Sequence, residues 1–375
     1  NTVAGIYIHI PFCRSKCAYC DFFSTPDAKW MHRYVDALIN EAALRLNEIG
    51  EQYTTLYLGG GTPSLLSDDL LRFLFDGLSR FIDISKMEEV TLEANPEDIT
   101  PCKTDFFQSL GINRISIGIQ SFNDTELQSV SRKHAATDSF KALDALNESG
   151  INYSADLIYG LPGQNETAWE RNLDCLLSYA PPHFSAYLLS YEPGTKLYAQ
   201  LMRGVVAEAS DILAHSMYSL LCDKASAAGY NHYEVSNFAL PGKTAIHNSA
   251  YWHYAPYLGL GAAAHSFDGK VRRFNPGNIR IYIDKIENGI SAYSVDYENL
   301  INRFNDYVIT SLRTNNGFDI AFARQHFTDS IIGRFINNVS KLPDGAINQI
   351  NSGNYVIPER QWLTSDAVLR ELILD

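Results

Sequence analysis

The sequence predicts an α/β fold: an incomplete barrel of six βα units followed by a smaller mixed domain. Three observations carry this. Strand-like apolar runs alternate with longer amphipathic stretches from Ala4 to Leu189. Several of those runs place polar residues on alternate positions, so one face of the sheet is not apolar. The alternation then stops after "SYEPGTKLY" at 190–198, where the pattern changes to helices and a Tyr-, Gly- and His-rich region.

Six strands are expected: "AGIYIHI", "TTLYLG", "EVTLEA", "RISIGI", "YSADLIY" and "FSAYLL". Between them, stretches such as Ala28 to Glu48 and Ser67 to Phe81 carry apolar residues at helical spacing. In "RISIGIQ", Ile115, Ile117 and Ile119 share one face, and Arg114, Ser116, Gly118 and Gln120 share the other. In "TLEAN", Thr91, Glu93 and Asn95 likewise fall together. A parallel sheet with one face on helices and the other polar suggests a barrel lumen with its site at the carboxyl ends of the strands. Six units rather than eight leave that barrel laterally open; a doubly wound open sheet is the alternative.

The domain division expected is 1–203 for the barrel and 204–375 for the remainder. The second part opens on a helix over Ala207 to Ala228 and passes through the Tyr-, Gly- and His-rich region to Asn278. Helices in "ENLINRFNDYVITSLRT" and "IIGRFINNVSKL", a hairpin in "GAINQINSGNYVIP" and a closing helix give a winged-helix-like end.

Composition narrows the function. With 375 residues and 46% hydrophobic content the chain can bury a large core. A formal charge of -13 argues against nucleic acid as a partner, because such binding relies on surplus Lys and Arg at phosphates. No apolar run reaches the roughly 18 residues of a membrane span and no signal peptide is recognised, so the expectation is a cytoplasmic protein. Of six cysteines, Cys102, Cys175 and Cys222 are isolated in apolar helical patterns and are expected to be buried thiols acting as small hydrophobes.

The other three stand together in "PFCRSKCAYCDFFS", at Cys13, Cys17 and Cys20. Thiolates are soft ligands, and C-x3-C-x2-C at the end of a strand lets one loop wrap a metal centre. A structural zinc site would want four protein ligands, and no second cysteine pair occurs; a catalytic zinc with three ligands is the weaker alternative. Iron–sulfur clusters more often take four cysteines, so three leave one iron open. Other strand ends add complementary groups. "LYLGGGTP" puts three glycines where backbone can approach a ligand, and no Gly-Lys-Ser/Thr follows to make it a phosphate loop. Glu93 and Asp156 are acceptors suited to a ribose diol or an ammonium, or are structural carboxylates.

The cysteine spacing, with Tyr19 as the aromatic before the third, resembles that of the radical S-adenosylmethionine (SAM) enzymes. "YIHIPFC", "LGGGTPS", "EANPE", "GIQSF" and "DLIYGLPGQ" resemble, in order, the branch that holds oxygen-independent coproporphyrinogen III oxidase (HemN) and the heme chaperone HemW. The resemblance implies a partial (β/α)6 radical SAM barrel with a [4Fe-4S] cluster on Cys13, Cys17 and Cys20. It implies SAM on the open iron, cleaved to a 5'-deoxyadenosyl radical, with Tyr7, Gly60, Gly61, Thr62, Glu93, Gln120, Arg132 and Asp156 as SAM contacts. His9 shares a face with Tyr7 and is placed near the cluster or in the core.

Within the branch three features lean toward the chaperone. The oxidase pattern has a further cysteine where this chain has Phe22, it carries an amino-terminal arm not found here, and "HNSAYW" at His247 to Trp252 matches a signature associated with the chaperone side. A neutral imidazole ligates iron and aromatics can cover a porphyrin. His247 is therefore the candidate heme ligand, with Tyr251 and Trp252 packing beside it. The alternative is a loop that pins the second domain to the barrel, and His253 and His265 are competing ligands. The resemblance thus implies a heme chaperone that passes heme to acceptor hemoproteins, membrane-associated ones included, without coproporphyrinogen III oxidase activity. The alternatives are a porphyrinogen-directed radical enzyme and a non-catalytic iron–sulfur protein.

Overall fold

In the computed structural model, residues 4–50, 52–350 and 353–375 are described. The first half alternates strand and helix: β1 (Ala4–Ile10), α1 (Met31–Arg45), β2 (Tyr53–Gly60), α2 (Asp68–Leu78), β3 (Glu89–Ala94), α3 (Pro101–Ser109) and β4 (Arg114–Gln120). There follow α4 (Asp124–Ser129), α5 (Ala136–Ser149), β5 (Asn152–Tyr159), α6 (Glu166–Ser178), β6 (His183–Leu188) and α7 (Lys196–Met202). All six expected strands are present, with boundaries within a residue of the apolar runs. Helices start where side chains cap them: Ser67 Oγ accepts from the N–H of Leu70, and Asn165 does the same for Ala168.

Strands β1 to β6 lie side by side in chain order, each parallel to the next. A doubly wound sheet would reverse its order at a switch point, so that alternative is excluded. Period 2 decides the faces. Ile6, Ile8, Leu56, Leu58, Val90, Leu92, Ile115 and Ile117 are buried against helices, while the intervening residues turn inward. Register then aligns the inward residues in layers. Glu93 pairs with Ser116, Ser116 with Ser154 and Ser154 with His183; one layer higher, Gly118 pairs with Asp156 and Asp156 with Ser185.

Beyond α7 come α8 (Asp211–Ala227), β7 (Asn231–Glu234), β8 (Asn237–Ala239), α9 (Ile246–Trp252), β9 (Tyr257–Leu260), β10 (His265–Phe267), β11 (Arg272–Phe274), α10 (Ile279–Glu287) and β12 (Ser294–Asp296). The Tyr-, Gly- and His-rich region is therefore rich in short strands. They extend the barrel sheet at both edges, in the order β12-β11-β10-β9-β1-β2-β3-β4-β5-β6-β8-β7. Covering the edges of β1 and β6 satisfies backbone groups that an open barrel would leave unpaired. Buried charge fastens the β9 side. Arg45, 1% exposed, bonds Glu41 at 2.7 Å and donates to the Gly259 carbonyl and to Ser266, while Glu41 accepts from Gly261 N–H, Asn275 and Tyr282.

The chain ends in α11 (Leu300–Ser311), α12 (Ile320–His326), α13 (Asp329–Val339), the short β13 (Asn348–Gln349) and β14 (Tyr355–Val356) pair, and α14 (Ser365–Leu372). This is the helix-and-wing arrangement that the pattern suggests. One expectation fails at Cys102, which is exposed because α3 buries only Thr104 and Phe107; Cys175 is half-buried and Cys222 alone is buried. Among the described residues no helix is long and apolar enough to cross a membrane.

Candidate functional site

The carboxyl ends of β1 to β6 open into a cavity of about 490 Å³. Cys13, Cys17 and Cys20 line its rim on the loop after β1. That loop is closed at its base, where Phe12 bridges Thr25, Cys13 N–H donates to the Thr25 carbonyl and Thr25 N–H donates to the Pro11 carbonyl. It is held from the sides as well: Ala18 N–H reaches the Val130 carbonyl, and Leu197 N–H reaches the Ala18 carbonyl. His9 supplies a further latch. Its Nε2 sits 2.8 Å from the Phe23 carbonyl, its Nδ1 bonds the Tyr7 hydroxyl, and burial lowers its pKa, so a neutral ring holds the loop.

The glycines of the β2 loop are there for space. Gly60 has φ +114°, and a Cβ on it would meet the His9 ring at 2.5 Å; one on Gly61 would meet the Phe12 carbonyl at 2.6 Å. The Gly60 N–H donates to Glu93 Oε2 at 2.9 Å, and the Tyr57 hydroxyl donates to Oε1 at 2.8 Å. Burial pushes Glu93 up to about 7, against the pull of these two hydrogen bonds. Asp156 is also raised, chiefly by burial, with Ser116 Oγ donating to it at 3.2 Å. Arg132 donates to Asn95 at 3.2 Å and to the Gly118 carbonyl at 2.7 Å, and lies 3.7 Å from Cys17 Sγ. Gly118 leaves it that room, since a Cβ there would stand 2.4 Å from Arg132 Nη2.

Gly60, Gly61, Thr62, Glu93, Gln120, Arg132 and Asp156 thus converge with the three cysteines on one cavity. Tyr7 does not line it. Its ring packs against that of Tyr57 at 6.1 Å, and its hydroxyl bonds His9 Nδ1 at 3.0 Å. Tyr57, Asn95, Arg114, His183 and Asn248 are cavity residues outside the expected set. Arg114 and Asn95 were legible from the alternation of β4 and of "TLEAN"; Asn248 arrives from α9, far beyond those strands in the chain.

The donor set fits a soft metal centre of three thiolates. Burial raises the Cys13 and Cys20 thiols, and a bound metal would supply the positive charge that favours their thiolates. Among the described residues no fourth cysteine lines the cavity.

His247, the candidate heme ligand, lies in the first turn of α9. It is 2% exposed, with Nδ1 bonded to Thr55 at 2.8 Å and Nε2 to the Tyr251 hydroxyl at 2.9 Å. Its ring stacks on Tyr57 at 5.1 Å, and burial with the nearby Arg114 brings its pKa down to about 3. Glu89 of β3 accepts the N–H groups of Ile246 and His247, pinning the start of α9 to the barrel. In this arrangement "HNSAYW" docks α9 on the barrel, turns Asn248 into the cavity and engages both ring nitrogens of His247 in hydrogen bonds. His253, one residue beyond, is exposed, and its Nε2 has only Asn316 at 3.4 Å.

Comparison with known proteins places the chain among relatives. The Radical SAM superfamily model matches residues 7–176. The chain is 32% identical to the heme chaperone HemW of Bacillus subtilis over 96% of its own length and 97% of that protein's. It is 36% identical to the heme chaperone HemW of Lactococcus lactis over 74% and 73%. Its fold matches that of the coproporphyrinogen III oxidase HemN from Escherichia coli with a TM-score of 0.84, at 22% identity, covering 99% of this chain and 90% of that one. With a relative matched from end to end, the chain belongs to the HemW family of the radical SAM superfamily.

Proposed function

We propose that this chain is a cytoplasmic heme chaperone that binds heme, a [4Fe-4S] cluster and SAM, and passes heme to acceptor hemoproteins. The observation that carries the reading is the end-to-end similarity to chaperones of that name. Cys13, Cys17 and Cys20 hold the cluster at the rim of the cavity. When bound, the cluster supplies an electron able to cleave the SAM sulfonium. The protein's part is positioning. The glycine loop lets SAM approach the backbone, Glu93 and Asp156 accept from its ammonium and ribose hydroxyls, and Arg132 braces the cluster loop while offering a cation to a carboxylate.

Heme binds outside the barrel cavity in this reading, at the exposed His253 beside Trp252. Ligation by His247 would require breaking one of its two side-chain hydrogen bonds, to Thr55 or to Tyr251. Phe22, 63% exposed on the cavity rim, stands where the oxidase pattern has a cysteine and offers no thiol to a porphyrinogen.

The test is anaerobic cluster reconstitution, followed on one preparation by heme titration, heme transfer to an apo-hemoprotein and a coproporphyrinogen III decarboxylation assay. Heme binding and transfer without decarboxylation is expected, with the heme band shifted in His253→Ala. Turnover of coproporphyrinogen III by the unaltered protein would overturn the chaperone reading. A band shifted in His247→Ala and unmoved in His253→Ala would return the ligand to the buried histidine.

A further inference from the structure

Cys222, His232 and Glu359 lie outside the barrel cavity, on three separate elements: α8, β7 and the short helical turn that leads into α14. Cys222 Sγ, His232 Nδ1 and a Glu359 carboxylate oxygen all lie within 4.8 Å of one another. The sulfur is 3.9 Å from Nδ1, and Nδ1 is 2.8 Å from Oε1. Around a tetrahedral zinc with bonds of about 2.0 to 2.3 Å, ligand atoms stand roughly 3.3 to 3.6 Å apart. The two observed separations fall on either side of that spacing, so small side-chain shifts bring all three donors onto one ion.

The imidazole is built to present Nδ1. Its ring is clamped face-on against Phe238 at 4.1 Å and edge-on to Trp362 at 4.6 Å. Its Nε2 lies 3.3 Å from the Val235 carbonyl and its Nδ1 2.8 Å from Glu359 Oε1, so both ring nitrogens face oxygens that can only accept. An outer hydrogen bond of this kind fixes the tautomer and orientation of a metal-ligating histidine. The consequence falls on the other nitrogen. A neutral ring carries one proton, so when Nε2 holds it Nδ1 turns a lone pair to a carboxylate oxygen 2.8 Å away, and the two repel unless a positive centre lies between them. A proton can fill that place; so can a metal ion.

We propose that Cys222, His232 and Glu359 form a site for a divalent cation of the zinc class, which fastens the segment before α14 to α8 and β7. One sulfur, one imidazole and one carboxylate suit zinc and disfavour magnesium or calcium, which take oxygen ligands. The charges close: a thiolate and a carboxylate neutralise a dication. On binding, the thiol proton and the proton between His232 and Glu359 pass to solvent, and water completes the fourth position. Cys222 and His232 are shielded, while the Glu359 side chain is half exposed and opens the path of entry.

The experiment uses the full chain with its cluster already in place, so that the barrel thiols are occupied, and zinc alone as the probe. Zinc affinity is measured by competition with a chromophoric chelator, iron content is followed throughout, and the zinc shell is read by X-ray absorption. One zinc per chain is expected, with one sulfur at about 2.3 Å and the remaining nitrogen and oxygen ligands at about 2.0 to 2.2 Å. Cys222→Ser and Glu359→Gln should each weaken zinc at least ~10-fold with the iron content unchanged. Glu359 is exposed enough that its variant reports on the site even where Cys222→Ser fails to fold. No zinc retained at micromolar free metal, a shell of three sulfurs, or unchanged affinity in Glu359→Gln would each overturn the assignment and leave these residues as a hydrogen-bonded tether.

Discussion

Glu93 grips the backbone N–H of Gly60 at 2.9 Å, tying the inner face of β3 to the glycine loop after β2. This bond sets the floor of the cavity and puts a carboxylate with a raised pKa where SAM is proposed to lie.

A pH dependence with two signs follows. Because the Glu93 pKa is raised from 4.5 to about 7, the unliganded fold holds a proton that the unfolded chain releases. Its contribution to stability is therefore full below 4.5 and is lost as pH rises toward 7. SAM, by donating to the carboxylate, favours the ionised form. Its affinity should rise as pH passes upward through the neutral range, and Glu93→Gln should flatten that dependence in calorimetric titrations.

Asp156 faces the same cavity from β5. A hydrogen bond to a charged group contributes about 1.5 to 3 kcal/mol, so Asp156→Ala should weaken SAM about 10- to 100-fold. Iron content should stay at the wild-type level. Equal SAM affinity in the two proteins would remove Asp156 from the binding site.

Cluster assembly should depend on Cys17 and ignore Cys102, which is exposed on α3. Cys17→Ala should abolish the iron–sulfur absorption after reconstitution, and Cys102→Ala and Cys175→Ala should retain it. Loss of iron in the Cys175 variant would contradict ligation by the three barrel cysteines.

Glu41 to Arg45 is the buried ion pair that holds the β9 edge. Glu41→Ala leaves the buried Arg45 guanidinium with Glu48 as its remaining carboxylate and strips acceptors from Gly261, Asn275 and Tyr282. A loss of about 3 to 5 kcal/mol is expected in denaturant unfolding, as for other broken buried pairs. A change below about 1 kcal/mol would show that the network contributes little.

The six barrel strands were legible because each is long enough, at six to eight residues, to display both its apolar face and its polar one. Period 2 alone sets Glu93, Ser116, Gly118 and Asp156 on the inward side. The three cysteines were legible because one loop carries them all. The strands β7 to β12 were not, since at three or four residues they show no period and exist to pair the edges of β1 and β6. Tyr7 marks the limit of the pattern even within the barrel: alternation puts it on the inner face, but its hydroxyl is taken by His9 and its ring packs against Tyr57, off the cavity wall.

What the sequence determined by itself was therefore local: strand faces, the cluster loop, the glycines and the carboxylates at strand ends. What the tertiary structure decided were the relations between distant segments. His247 meets Thr55 across 192 positions, and His232 meets Glu359 across 127. "HNSAYW" names residue types able to bind iron, but whether a nitrogen is free depends on what the fold brings against it. In His247 both are taken, because α9 is docked on the barrel with its first histidine turned inward, and no spacing along the chain encodes that rotation.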